Sequence, residues 1–84
     1  MITKRSRRRL QRDMKNKKQF PIHFVGIKGV GMTALAILLK EAGFPVTGSD
    51  TGEKFITDEA LYKAGIHPHP SFKEDHVKHA KLVI

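Results

Sequence analysis

The sequence predicts an α/β domain in which a short parallel sheet is flanked by helices. Three observations carry that prediction. The apolar run Ile22–Val25 turns through Gly26, Gly29 and Gly31 into a long apolar helical pattern. A second extended run, Val46–Ser49, ends on the acid Asp50. Extended and helical patterns then alternate to residues 81–84, and such alternation builds parallel sheets with right-handed crossovers. The class is therefore Rossmann-like, with residues 81–84 opening a fourth, buried strand within which the domain is truncated. In the usual doubly wound order the fourth strand lies on the far side of the first, and the ligand crevice is the gap between them.

Composition sets the outer bounds. The 84 residues suffice for one small domain. Cysteine is absent, which excludes disulfides and cysteine-held metal and fits a reducing, cytoplasmic setting. No apolar run approaches the ~20 residues of a membrane span, and no signal-peptide pattern follows the basic start. The net charge of +8 is uneven: residues 1–19 hold nine Lys and Arg against Asp13 alone, whereas residues 20–84 hold seven of each sign. Residues 1–20 thus read as a basic, mobile tail with too little apolar content to offset ordering, and residues 21–84 as the domain. A basic run can bind nucleic acid by counterion release. No aromatic residue precedes Phe20 to stack on bases, so a solvated tail is favoured, with no specific nucleic acid and no membrane as partner.

Each element has its own justification. Pro21 marks the boundary, and Ile22–Val25 reads as a buried parallel strand. His23 within it is a ligand contact or, by preference, a histidine satisfied in a polar layer. The glycine turn lets backbone N–H groups approach an anion, and the helix behind it adds unpaired N–H groups and a positive dipole end. A tight turn without ligand is the plainer alternative. The helix spans residues 30–42, with Ala34, Leu35, Leu38, Leu39 and Ala42 as its packing face and Ile37 widening it. Gly43 and Pro45 end it. Thr33, in its first turn, is placed to bond a phosphate or to cap its own backbone. Val46–Ser49 brings Asp50 to a strand tip, 24 residues after Gly26, where a carboxylate suits the two hydroxyls of a ribose or forms a simple turn. Residues 57–64 form a second helix, N-capped by Thr57 and ended by Gly65. Residues 66–69 allow only a brief strand because Pro68 and Pro70 interrupt pairing. Ser71 and Glu74 have capping-box spacing. His67, His69, His76 and His79 read as surface histidines and not as a metal set. No nucleophile–histidine–acid set is legible, so no catalytic residue and no metal ligand is expected.

The glycine spacing meets neither common phosphate motif. A dinucleotide fingerprint needs glycine where Lys28 stands, and a triphosphatase loop needs lysine where Met32 stands. The run His23, Gly26, Ile27, Lys28, Gly29, Gly31, Met32, followed by Gly48, Ser49, Asp50, instead resembles the N-terminal segment of the Mur ligases, in the branch that joins L-alanine to UDP-N-acetylmuramate. The likeness spans residues 22–84.

That resemblance implies a UDP-substrate-binding domain from a longer ligase of peptidoglycan synthesis, lacking its central and C-terminal domains. It implies UDP-N-acetylmuramate as partner, held by Gly26, Ile27, Lys28, Gly29, Val30, Gly31, Met32, Thr33, Ser49 and Asp50. The glycine-loop amides and Lys28 would take the diphosphate, and Asp50 the ribose. ATP and Mg2+ would serve the whole enzyme, through an acyl-phosphate intermediate, from domains outside this chain; no cofactor is expected on these residues, and no activity from them alone. A murein-peptide ligase of the same family and a dinucleotide-binding module are the alternatives.

Overall fold

The computed structural model describes residues 3–5 and 17–84; most of the expected tail lies outside the described residues. β1 (Ile22–Val25) is the central strand of a three-stranded parallel sheet. β2 (Val46–Ser49) lies on one side in the register Ile22 to Val46 and Val25 to Ser49. β3 (Leu82–Val83) lies on the other, with Ile22 opposite Leu82 and His23 opposite Val83. The last strand is thus across β1 from β2, as the doubly wound order requires. The brief strand expected over residues 66–69 is a single parallel bridge from His69 to Ser49, because the flanking prolines leave few N–H groups for a ladder.

Alternation along β1 gives the sheet two different faces. Ile22 and Phe24 point into an apolar core completed by Ile27, Ala36, Leu61 and Ile66. Helices α1 (Val30–Glu41) and α2 (Asp58–Lys63) contribute to that core. Both end alike: the Gly43 N–H returns to the Lys40 carbonyl and the Phe44 N–H to that of Leu39, and Gly65 and Ile66 repeat the pattern on Tyr62 and Leu61. These are Schellman closures, and the positive φ of +106° at Gly43 is the conformation they demand.

Four expectations are corrected. The inward stripe of α1 runs through Met32, Thr33, Ala36 and Ile37, with Leu39 at its border, while Ala34, Leu35, Leu38 and Ala42 are exposed. Apolar residues surround this helix, so periodicity cannot choose its face; the bond from the Thr33 hydroxyl to the Ile27 carbonyl, 2.7 Å, does. Thr57 holds the N-cap position of α2 without capping it. Ser71 starts no helix; a 3-10 turn begins at Glu74, behind Lys73. Of residues 81–84 only Leu82–Val83 form a strand, and it is exposed where a buried one was expected, at 43% and 48% for the two residues.

Candidate functional site

The site is the glycine turn between β1 and α1. Gly26 leaves β1 with φ +76°, a conformation that excludes most side chains. Its N–H and that of Ile27 both donate to the Ser49 carbonyl, at 2.8 and 3.2 Å, so the turn is pinned to the tip of β2. The Gly29 N–H returns to the Gly26 carbonyl at 3.2 Å. The Lys28 N–H donates to Asp50 Oδ2 at 2.9 Å. Four amides of the turn are therefore used within the chain. The donors still directed outward are the N–H groups of Val30, Gly31 and Met32, which have no intrahelical partner at the start of α1. Gly29 adds no side-chain cap, and residues 29–31 are exposed. Three such donors at a helix's positive end suit an anion.

The glycines differ in what requires them. Gly26 is demanded by its φ. Gly29 has an ordinary φ of −59°, and a Cβ there would come no closer than 3.6 Å to the Gly26 carbonyl oxygen. A Cβ on Gly31 would meet no atom within 4 Å. Gly48 is different again: a Cβ there would collide with the buried Ile27 side chain, whose Cβ lies 2.8 Å away. Gly48 keeps Ile27 packed and the turn in place.

Asp50 is 8% exposed. Its Oδ1 accepts the Thr51 N–H at 2.7 Å, and its own N–H donates to the His69 carbonyl at 3.0 Å. A carboxylate has about four acceptor positions, so about two remain for an external hydroxyl pair. The Lys28 side chain, 11% exposed, crosses to the segment before α2. Its ammonium donates to the Glu53 carbonyl at 2.6 Å and lies 3.2 Å from Asp58 Oδ1. Asp58 is held below the usual carboxylate range, first by the Phe55 N–H and then by Lys28, against an opposing effect of desolvation. The Lys28 carbonyl accepts the Thr57 hydroxyl at 2.6 Å.

The other expected site residues have internal roles. The Thr33 hydroxyl proton is spent on the Ile27 carbonyl. The Ser49 hydroxyl lies 3.1 Å from His23 Nε2, while Thr47 Oγ1 meets His23 Nδ1 at 2.7 Å. His23 is fully buried in this polar layer, satisfied by its neighbours. Burial, then the His69 and His76 imidazoles, lower its pKa. His69 and His76 stack with ring centroids 3.9 Å apart, so two of the supposed surface histidines form a pair. Among the described residues no group of three or more His, Cys, Asp or Glu could hold a metal ion, and no helix is long and apolar enough to cross a membrane.

Sequence reading missed the contributions of Thr57, Asp58 and the Glu53 carbonyl. It also missed a pocket of about 200 Å³ bounded by Lys28, Thr51, Asp58, Tyr62, His67 and Pro70. Only the acid-rich start of α2 hinted at a partner for Lys28.

Fold and turn together define a Rossmann-like α/β domain with a glycine turn at a helix start. Residues 21–84 match the family model described as Mur ligase family, catalytic domain. The chain is 46% identical over 63 residues to a UDP-N-acetylmuramate–L-alanine ligase of Streptococcus mutans, covering 75% of this chain and 14% of that protein. The same enzyme of Campylobacter jejuni shows the same identity and coverage. That of Streptococcus equi subsp. zooepidemicus is 49% identical over 55 residues, or 66% of this chain and 12% of the relative. This chain belongs to the Mur ligase family. It spans about one seventh of the length of the relatives it matches, 14% for the first.

Proposed function

We propose that residues 21–84 hold the UDP part of UDP-N-acetylmuramate for a ligase that adds L-alanine to it in peptidoglycan synthesis. One observation carries the reading: Gly29 and Gly31 stand where neither φ nor internal space calls for glycine, beside three outward backbone donors. Glycine there serves an approach from outside. The diphosphate sits on the N–H groups of Val30, Gly31 and Met32, and Asp50 offers its remaining acceptor positions to the ribose. Lys28 contributes charge at the edge, although Asp58 now shares that charge.

The described residues do not fit ATP with Mg2+. Met32 stands where a phosphate-gripping lysine would be, so the turn lacks the side chain that reaches the β- and γ-phosphates. ATP-driven chemistry therefore belongs to other parts of a longer enzyme, and this chain positions substrate. On this reading it works in the cytoplasm, among UDP-sugars and ATP. A dinucleotide module is the weaker reading, because Lys28 occupies the position where the fingerprint requires glycine. Calorimetric titration separates the two: UDP and UDP-N-acetylmuramate bind, and NADH does not displace them. Tighter binding of NADH than of UDP overturns the proposal.

A further inference from the structure

We infer that Thr57 is a positioning residue for the glycine turn: its hydroxyl clamps the Lys28 carbonyl and holds the turn in its ligand-ready shape. This rests on the UDP reading above and deepens it. Thr57 occupies the N-cap of α2, where threonine ordinarily turns its oxygen onto the helix's own N–H groups. Here it makes no such bond. The nearly buried hydroxyl donates across the structure to the Lys28 carbonyl, 29 residues earlier, at 2.6 Å. α2 forgoes a side-chain cap, and the turn gains an anchor.

The same segment holds Lys28 at every polar group it has. Asp50 takes its N–H, Thr57 its carbonyl, and Asp58 with the Glu53 carbonyl its ammonium. Lys28 lies midway between Gly26, which bends the turn, and Val30, which opens the row of outward donors. Asp50 fixes the peptide unit before Lys28 and Thr57 the unit after it, and together they fix the direction of those donors. Without the Thr57 hydroxyl, the Lys28 carbonyl loses this hydrogen bond, and the turn rotates to find water.

Three forms of the 84-residue chain test this: wild type, Thr57→Val and Thr57→Ser. Valine keeps the shape and removes the hydroxyl; serine keeps the hydroxyl. The readouts are amide hydrogen exchange in the free protein and UDP affinity by NMR titration. Thr57→Val speeds exchange of the Gly29 amide, which shares a peptide unit with the Lys28 carbonyl, and weakens UDP binding about tenfold, as expected for one lost buried hydrogen bond. Amides of Leu61 and Ala64 in and after α2 keep their protection, because the hydroxyl caps nothing there. Thr57→Ser restores both readouts to near wild type. Unchanged exchange at Gly29 in Thr57→Val overturns the clamp, as does equal loss in the serine form. A wild-type chain that gives no UDP response refutes the nucleotide reading instead, and the exchange data then judge the clamp alone. Should Thr57→Val not fold, wild type and Thr57→Ser suffice: UDP must shift Lys28 and Thr57 resonances together, and a Lys28 shift without Thr57 overturns the inference.

Discussion

His23 is buried between two hydroxyls and faces two further imidazoles. Its folded-state pKa lies below the ordinary 6.5, through burial first and the His69 and His76 charges second. The unfolded chain therefore takes up a proton that the folded chain resists. The stability from neutral His23 is complete above about pH 6.5 and drains away as pH falls from there toward the folded pKa. Urea midpoints should drop between about pH 7.5 and 5.5, and His23 should titrate below 6.5 by NMR; a titration above 6.5 contradicts the buried, neutral ring. Asp50 makes a second residue-level test. Its carboxylate accepts two backbone N–H groups, so Asp50→Asn puts an amide donor against one of them. A loss of about 1–3 kcal/mol in urea unfolding is expected, and wild-type stability in that variant would mean that the two bonds hold nothing.

At the scale of elements, packing decides what the glycines and leucines are worth. Gly48→Ala forces a methyl group against Ile27 and should cost about 1–3 kcal/mol. Leu61, 1% exposed, should cost about 2–5 kcal/mol as Leu61→Ala, whereas Leu38, 62% exposed, should change stability by less than about 0.5 kcal/mol as Leu38→Gln. Thermal or urea melts of the three variants check the ranking, and a Leu38 effect as large as that of Leu61 would restore the helix face first read from the sequence. Strand limits and helix ends were legible because local chemistry writes them: prolines, C-terminal glycines and short β-rich runs act within a few residues. The packing face of α1 was not legible, because its apolar residues surround the helix and a single tertiary bond from Thr33 chose the side. Asp50 and the glycine turn were legible from spacing, but the bonds that tie Lys28 to Asp50 and Thr57 span 22 and 29 residues and leave no local trace.

For the whole molecule, the proposed function divides the labour: substrate holding here and ATP chemistry elsewhere. Purified 84-residue chain should release no phosphate from ATP, even with L-alanine and saturating UDP-N-acetylmuramate; turnover that vanishes in a Gly29→Asp control would show that the chemistry lies within these residues. Within the glycine turn, Gly31 separates ligand binding from folding. Alanine there removes a glycine from the first turn of α1, meets no internal atom, and should raise stability by up to about 1 kcal/mol. It also places a methyl group among the outward donors. The most direct measurement is an amide-shift titration with UDP on wild type and Gly31→Ala. Wild-type shifts should centre on residues 30–32 and on Asp50 and Thr51, with binding weakened at least about tenfold in the more stable variant. Shifts confined to residues 1–20, or equal affinity in both proteins, would contradict it.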